Sequence, residues 1–426
     1  MEERGLSSPG TQIAGLQGYH GRRTAVGVAL AGFWIALLAV PQGYFLVPLL
    51  LAVGGLYCRR PWQAAMGCVA RDRLLVLALV LQGGVWLAAG LWHGEIRHAL
   101  GGAAATWMAL PLLVLLRRLP PSTAWLWAGM ALGGVGAGAW ALWQRLVDGV
   151  LRAHGHEPLH AILFGNLALL TGLSCLAGLV WAGSRARRHL WLPLLAGGAF
   201  SGILASLLSG SRGGWIGLPL ALLVIYRAQG RRLAGRWRVM ALAGLLVVAA
   251  GLYAVPQTGV QARVDHAVSS LHRYLQGDEE VTSISARLDL WRGGLALIAE
   301  RPGLGWGSEG YRAGKAELIE EGELAPELSR FWHAHNDLLD AWVKRGLPGL
   351  VALLVLYLTP LRLFAGGIRD ACPRQRSLAI AGTLLPVAFM DFGLTYSFLA
   401  YAAGLTIYAT WLAALWALYR PRPAMA

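Results

Sequence analysis

The segment HAHND at 333–337 carries side chains suited to proton transfer. An imidazole titrates near neutral pH, so His333 or His335 can act as a general base. Asp337 follows His333 by four residues and Asp340 follows His335 by five, and either carboxylate can orient a ring. The pair can also bind zinc, but no further ligands follow at a suitable spacing such as HExxH. The pattern predicts a base with no metal or other cofactor; the alternative is a solvated helix cap with incidental histidines.

A second candidate is the turn SGSRGG at 209–214, in which Arg212 lies among serines and glycines. The glycines let a ligand approach the backbone, and the hydroxyl of Ser211 can bind anionic oxygens. A guanidinium offers a planar fork that matches phosphate oxygens. The turn therefore predicts an anion site, and the alternative is a simple turn whose arginine reaches to the lipid headgroups.

A third candidate is the stretch SISARLDLWR at 283–292. Arg287 and Trp291 are four residues apart and share a helix face, and Arg292 follows directly. Serines before the helix can cap it, and an exposed helix N-terminus favours anions. The alternative is an amphipathic helix at the membrane surface, with arginine at the headgroups and tryptophan below them.

The elements that must position these residues are membrane helices. Hydrophobic residues make up 56% of the 426 residues and charged residues only 14%, whereas a soluble domain carries about 25% charged residues. Apolar windows of about 20 residues predict twelve spans and an all-α polytopic membrane protein. The spans are 24–40, 43–58, 74–92, 98–116, 122–144, 158–182, 189–207, 213–228, 238–255, 346–364, 377–392 and 396–418.

Arginines give the predicted orientation. Short loops on the side of the N-terminus hold most of the arginines, and those on the other side hold few. The positive-inside rule then places both termini in the cytoplasm. The net charge of +15 follows from this topology, so no nucleic-acid partner is expected. The predicted units are a bundle at 1–255, an outer loop at 256–345 and further spans at 346–426.

The outer loop is predicted to be mostly helical. Residues 286–299 place Leu288, Trp291, Leu295 and Ile298 at spacings of three and four, which predicts an amphipathic stripe. Residues 313–323 predict a second, solvated helix. Gly346 and Pro348 then mark the joint with the following span.

The spans carry few charges at their centres. Asp391 is nearly the only acidic residue inside a predicted span, and it lies near the outer end. An ion-coupled transporter usually has ionisable residues midway through the membrane. The distribution therefore favours activity at the outer face over a lipid or polysaccharide transporter, or a membrane protein whose loop binds a partner.

Taken in order and on one side of the membrane, three motifs resemble the O-antigen ligase and polymerase superfamily. They are SxSRG in the turn, SxxxR…W leading to RPGLGWG, and HAHND, and the resemblance covers about 205–350. The stretch PLHAILFGNLAL at 158–169, with Asn166, is similar to the ligases more than to the polymerases. The chain also ends without the long extension usual in the protein O-oligosaccharyltransferases. The ligase is therefore favoured over the polymerase and over the protein O-oligosaccharyltransferase.

The resemblance implies a glycosyltransferase-C-like enzyme at the periplasmic face of the bacterial inner membrane. Its donor would be an undecaprenyl-diphosphate-linked glycan, and its acceptor would be the lipid A core. Membrane lipids would surround the enzyme. Arg212 and Arg287 would bind the diphosphate, and His335 would deprotonate the acceptor in an inverting, metal-independent displacement. The residues expected to bind substrate are Ser211, Asn336, Trp291, Arg292, His333 and Asn166.

Overall fold

The computed structural model describes residues 9–57, 70–211, 213–229 and 282–419, with a few single positions between 230 and 281. Every regular element in these ranges is helical. The α-helices are α1 (Pro9–Ala39), α2 (Gly43–Leu56), α3 (Ala70–Trp92), α4 (Ile96–Trp107), α5 (Ala109–Arg118), α6 (Thr123–Leu146), α7 (Ala161–Ala182), α8 (Arg188–Ser209), α9 (Leu218–Gln229), α10 (Ser285–Glu300), α11 (Gly307–Glu320), α12 (Asp337–Ala365), α13 (Pro373–Thr395) and α14 (Ala402–Leu418).

Within the described residues, eight helical stretches are long and apolar enough to cross a membrane. They are Gly18–Ala39, Asp72–Trp92, Ile96–Arg118, Thr123–Leu146, Ala161–Ala182, Arg188–Ser209, Asp337–Ala365 and Pro373–Thr395. The apolar helices α2 and α14 are shorter. The predicted all-α polytopic fold is confirmed. The predicted span 213–228 contains the 12-residue helix α9, whereas the predicted span 238–255 and the boundary after 255 lie outside the described residues.

Small residues bring α6, α7 and α8 into close contact. A Cβ atom added at Gly134 would lie 2.4 Å from the carbonyl oxygen of Gly198, and one at Gly202 would lie 2.6 Å from that of Ala168. Without side chains between them, the helix backbones pack directly against each other. This packing places the first turns of α7 beside the end of α8, where the turn at 209–214 begins.

The outer loop has its own small apolar core between α10, α11 and residues 324–343. The predicted helices 286–299 and 313–323 correspond to α10 and α11, although α11 begins earlier, at Gly307. The core contains the side chains of Ala286, Leu290, Leu297, Ile298, Tyr311, Leu318, Leu324, Leu328, Ala334 and Val343.

The predicted apolar stripe of α10 is only partly correct, since Ile298 lies in the core of the outer loop. Leu295 is 52% exposed, and the helix instead buries the face that contains Leu290, Gly293 and Leu297. The reason is steric, since a Cβ atom at Gly293 would lie 2.8 Å from the side chain of Leu324. The packed face of α10 is therefore the one on which a glycine leaves space for the large side chain of Leu324. The spacing of the large apolar residues in the sequence does not show this.

The predicted joint at Gly346 is confirmed. The helical run of α12 is interrupted there, because Gly346 adopts φ 64° and ψ −165°. A Cβ atom at this position would lie 2.1 Å from the carbonyl oxygen of Gly303, so both the conformation and the close approach require glycine. Leu347 donates its N–H to the carbonyls of Pro302 and Gly303. The outer loop is thereby fixed to α12 at the kink.

Candidate active site

Side-chain acceptors hold three consecutive backbone N–H groups of the segment HAHND. The pairs are Ala334 N–H with Asp340 Oδ1 at 3.2 Å, His335 N–H with His333 Nδ1 at 3.2 Å, and Asn336 N–H with Ser397 Oγ at 3.0 Å. Because each amide has its own partner, the path of the chain is fixed on both sides of His335.

His335 has a strained backbone. Its φ of 52° lies in the left-handed region, which non-glycine residues rarely adopt. Such a conformation persists where neighbouring contacts fix it, and it is found most often at functional sites. The next residue, Asn336, accepts the N–H groups of Leu338 and Leu339 through Oδ1 and begins α12 as its N-cap.

The imidazole of His335 is buried without a hydrogen-bond partner. His335 is 9% exposed, and neither of its ring nitrogens forms a hydrogen bond with a described residue. The ring centroid lies 4.2 Å from that of His333, 4.9 Å from Phe331 and 5.5 Å from Tyr396. Both ring nitrogens, which have no hydrogen-bond partner among the described residues, are available to a ligand.

Burial keeps both histidines neutral. It lowers the pKa of His335 to about 4, with the charge of Arg287 acting in the same direction. The Thr395 carbonyl is near enough to oppose this shift without meeting hydrogen-bond geometry. The pKa of His333 is also lowered, first by burial and then by His335. At neutral pH His335 is therefore ready to accept a proton.

Arg287 lies at the start of α10, close to the histidines. Its Nε donates to the carbonyl oxygen of Thr395 at 3.0 Å, and its Nη1 donates to that of Ser283 at 2.5 Å. Among the described residues Nη2 has no hydrogen bond, so it can reach a ligand. The structure thus brings Arg287 and His335 together around the end of α13, whereas their roles in a reaction remain predictions.

The turn at 209–214 reaches the same place. Ser211 donates its hydroxyl to Asn166 Oδ1 at 3.0 Å and its backbone N–H to Ser209 Oγ at 3.1 Å. A Cβ atom at Gly213 would lie 2.2 Å from Oγ1 of Thr395, the residue whose carbonyl binds Arg287. Arg212 lies outside the described residues, so its role remains a prediction.

The sequence reasoning missed the connection between α13 and α14, residues 396–401. Its Tyr396 and Tyr401 rings lie 4.7 Å and 5.5 Å from that of His333. Its Ser397 binds Asn336, as described above. A cluster of tyrosine and serine between two spans was the available signal, although its partners are distant in sequence.

His160 was also missed as a site residue. It caps α7, with Nδ1 accepting the N–H of Ile162 at 3.3 Å and Nε2 lying 2.9 Å from the hydroxyl of Tyr396. We assign the proton to Nε2 from these contacts. Burial, followed by the charge of Arg152, lowers the pKa of His160. A neutral His160 therefore donates to Tyr396 and fixes the tyrosine beside the other two histidines.

The remaining predicted residues have other contacts. Arg292 bonds to the carbonyl of Glu323 and faces Asp289 at 3.7 Å, and Trp291 is partly buried on the same helix. Of the two carboxylates expected to orient a ring, Asp337 accepts from Tyr357 and Leu399. Asp340 accepts from Ala334, and within the described ranges neither carboxylate is bonded to an imidazole.

Both lysines of the chain lie beneath the histidine segment. Lys344 forms a buried ion pair of 2.9 Å with Asp340 and donates to the carbonyl of Trp332. Lys315 donates to the carbonyls of Leu328, Ser329 and Phe331. Burial, with Lys344 and Arg312 nearby, lowers the pKa of Lys315 to about 8. The segment thus rests on two buried cations.

The arrangement combines a neutral base with a fixed cation. A hydroxyl that reaches His335 can transfer its proton to the ring, and an anionic leaving group can be stabilised by Arg287. Among the described residues, no three His, Cys, Asp or Glu side chains are grouped to hold a metal ion. This chemistry suits attack by an alcohol on a carbon that carries a phosphate leaving group.

Comparisons with known proteins agree with the motifs. Residues 197–354 match the O-antigen ligase family, which confirms the resemblance predicted for about 205–350. The matched range holds Arg287, His335 and the turn at 209–214. The chain is also similar to a protein of Haemophilus influenzae described as uncharacterized, with 26% identity over 377 residues that cover 88% of this chain and 94% of the relative.

Proposed function

We propose that this chain, whose residues 197–354 carry the sequence of the O-antigen ligase family, joins a polysaccharide to the lipid A core. The members of that family are glycosyltransferase-like ligases and polymerases. The donor is an undecaprenyl-diphosphate-linked glycan and the acceptor a sugar hydroxyl of the core. The reaction takes place at the periplasmic face of the inner membrane, with both termini in the cytoplasm.

One observation carries the proposal: the buried, neutral imidazole of His335 lies beside the fixed guanidinium of Arg287, and neither ring nitrogen has a partner among the described residues. A buried polar group without a partner lowers stability by about 1–3 kcal/mol, and His335 additionally has a strained backbone. Such an arrangement is unfavourable in the protein alone and becomes favourable when a ligand hydroxyl supplies the missing hydrogen bond.

The reaction follows from the chemistry of the groups. The acceptor oxygen attacks the anomeric carbon and forms the new glycosidic bond while a ring nitrogen of His335 takes the hydroxyl proton. The bond between the anomeric carbon and the diphosphate oxygen breaks, and its electron pair leaves with the diphosphate. Arg287, with Arg212 as the predicted second cation, stabilises the charge that develops there. A single displacement inverts the anomeric centre.

His335→Ala tests the role of the base. General-base assistance contributes about 10²–10⁴ in rate, so the variant should lose transfer by that factor while inserting and folding normally. The measurement is glycan transfer by purified protein in proteoliposomes with lipid-linked donor and lipid A core. His189→Ala is a matched control, because this exposed histidine lies at the opposite end of the 22-residue helix α8 from the turn. Normal transfer by His335→Ala would disprove the proposal.

The same assay separates ligase from polymerase. A second reaction replaces the lipid A core with another lipid-linked glycan as acceptor. Product on the lipid A core alone supports the ligase, whereas product on the second lipid-linked glycan alone identifies a polymerase that uses the same residues.

A further inference from the structure

A groove of about 320 Å³ lies beside the histidines, on the side of Tyr401. It is formed by the outer end of α3, the first turns of α4 and residues 400–402. We call it the basic groove and define it by its lining residues: Trp86, Arg97, His98, Gly101, Gly102, Ala400, Tyr401 and Ala402. It is separate from the Arg287 contacts at Thr395.

The basic groove presents hydrogen-bond donors that no described residue satisfies. Arg97 and His98 are exposed and form no hydrogen bond or ion pair within the described ranges. No lining residue is acidic, and the nearby Glu95 accepts the backbone N–H of Glu309 at 2.8 Å. Its ligand is therefore anionic.

Tyr401 lies between the groove and the histidines. This residue lines the groove, and its ring lies 5.5 Å from His333 and 6.2 Å from Tyr396, on which it stacks. His335 lies behind these rings. A molecule whose anionic group occupies the groove can extend past Tyr401 to bring a hydroxyl to His335.

The surface next to the groove is apolar and exposed. Leu91, Trp92, Ile96 and Leu100 are each more than half exposed, at the ends of two helices long and apolar enough to cross a membrane. Exposed apolar residues at this position suit contact with acyl chains, and tryptophan is common at the membrane surface. The ligand is thus an amphiphile with an anionic head.

We infer that the basic groove binds the phosphate-bearing head of the acceptor glycolipid and that Arg97 and His98 contact its phosphate. The inference rests on the proposed function, in which the Arg287 side takes the diphosphate of the donor. Two anionic lipids would then approach His335 from opposite sides, with the base between the attacking hydroxyl and the leaving group.

Gly101→Leu and Arg97→Gln test the groove in the full-length protein. A Cβ atom at Gly101 meets nothing within 4 Å, so leucine fills the groove without a clash in the fold. Gly84→Leu is the matched control, since Gly84 on α3 also has open space and does not line the groove. Binding is measured by native mass spectrometry with two probes, lipid A bearing core sugars and undecaprenyl diphosphate.

We expect Arg97→Gln to weaken binding of the lipid A probe about tenfold, because one charged phosphate contact is lost. Gly101→Leu should weaken it at least as much, because the leucine side chain occupies the groove. Binding of undecaprenyl diphosphate should be unchanged, and Gly84→Leu should bind both probes normally. Weaker binding of undecaprenyl diphosphate would assign the groove to the donor and overturn the inference. Unchanged binding of both probes by the groove variants would also overturn it.

These results are independent of turnover. Suppose that Gly101→Leu weakens binding of the lipid A probe but the unchanged protein transfers no glycan. The proposed reaction is then wrong, whereas the acceptor site is supported. If His335→Ala abolishes transfer while the groove variants bind both probes normally, the reaction stands and the acceptor site fails.

Discussion

The two segments that meet at Thr395 are held in opposite ways. The histidine segment rests on charged side chains, with Asp340 and Lys344 forming a buried ion pair beneath it. The turn after α8 is held by the absence of side chains. Added Cβ atoms at Gly213 and Gly214 would lie 2.2 Å from Thr395 Oγ1 and 2.6 Å from Asn166 Oδ1.

The difference predicts which changes each segment tolerates. A segment held by paired charges fails when one partner is removed, because the other charge stays buried alone. A segment held by close backbone contact fails when an atom is added, because the neighbours must move. Paired charges therefore fix the histidine segment, and close packing fixes the turn that precedes α9.

Lys344→Met should have the largest effect on stability. Removing one member of a buried ion pair lowers stability by about 3–5 kcal/mol, and Asp340 Oδ2 already lacks a partner in the described residues. The unfolding midpoint in detergent measures the loss. Lys344→Met combined with Asp340→Asn should recover much of it, since Asn still accepts from Ala334.

The control for this change is Arg312→Gln. Arg312 pairs with Glu309 at 3.1 Å on the surface, and such exposed pairs contribute about 0–1 kcal/mol. An equal loss of stability in the Lys344 and Arg312 variants would show that buried charge does not hold the histidine segment.

Gly213→Ala should have an intermediate effect. Overpacking of this kind lowers stability by about 1–3 kcal/mol, and transfer activity should fall because the turn shifts away from Thr395. Adding Thr395→Ala should restore both, because it removes the colliding hydroxyl and keeps the carbonyl that binds Arg287. Thr395→Ser keeps the hydroxyl and should not rescue.

Gly136→Ala provides the baseline for these measurements, since a Cβ atom there meets nothing within 4 Å. A Gly213→Ala variant as stable and active as Gly136→Ala would contradict the role of close packing in the turn.

The smallest effect concerns pH. The pKa of His335 lies near 4, below its ordinary value, mainly because of burial. The ring stays neutral as pH falls through 6.5, so kcat/KM should be nearly constant from pH 8 to 6 and fall only as pH approaches about 4. The free energy of unfolding changes in the same direction. Below pH 6.5 the unfolded chain binds a proton that the native ring of His335 does not bind, so acid lowers the stability of the fold.

The pH profile of kcat/KM in proteoliposomes measures this. A half-maximal rate near pH 6.5 would show that the ring is solvated as in a free histidine, and that the segment does not shield it.

The spans and the joint at Gly346 could be predicted from the sequence. Continuous apolar runs, and a glycine followed two residues later by a proline, determine the structure of their own segment. The resemblance to the O-antigen ligase and polymerase superfamily, not a local pattern, implied that Arg287 and His335 act in one reaction. The connection at 396–401 was missed, because contacts such as Ser397 with Asn336 and Tyr396 with His160 join residues 61 and 236 positions apart. No local pattern encodes such pairs.

The errors have physical causes too. The apolar stripe of α10 was partly misplaced because Gly293 admits Leu324 on the other face. No role was predicted for the two lysines, because the sequence does not show that Lys315 would lie under backbone carbonyls and Lys344 against Asp340. Their contacts with the histidine segment result from the packing of the outer loop.

The burial of both lysines has a consequence for the exterior of the protein. The chain has no other lysine, so arginine supplies the permanent positive charge that faces the lipid headgroups. An arginine side chain stays protonated above pH 12. The positive charge of the exterior therefore persists in alkaline conditions that would neutralise a lysine-rich surface.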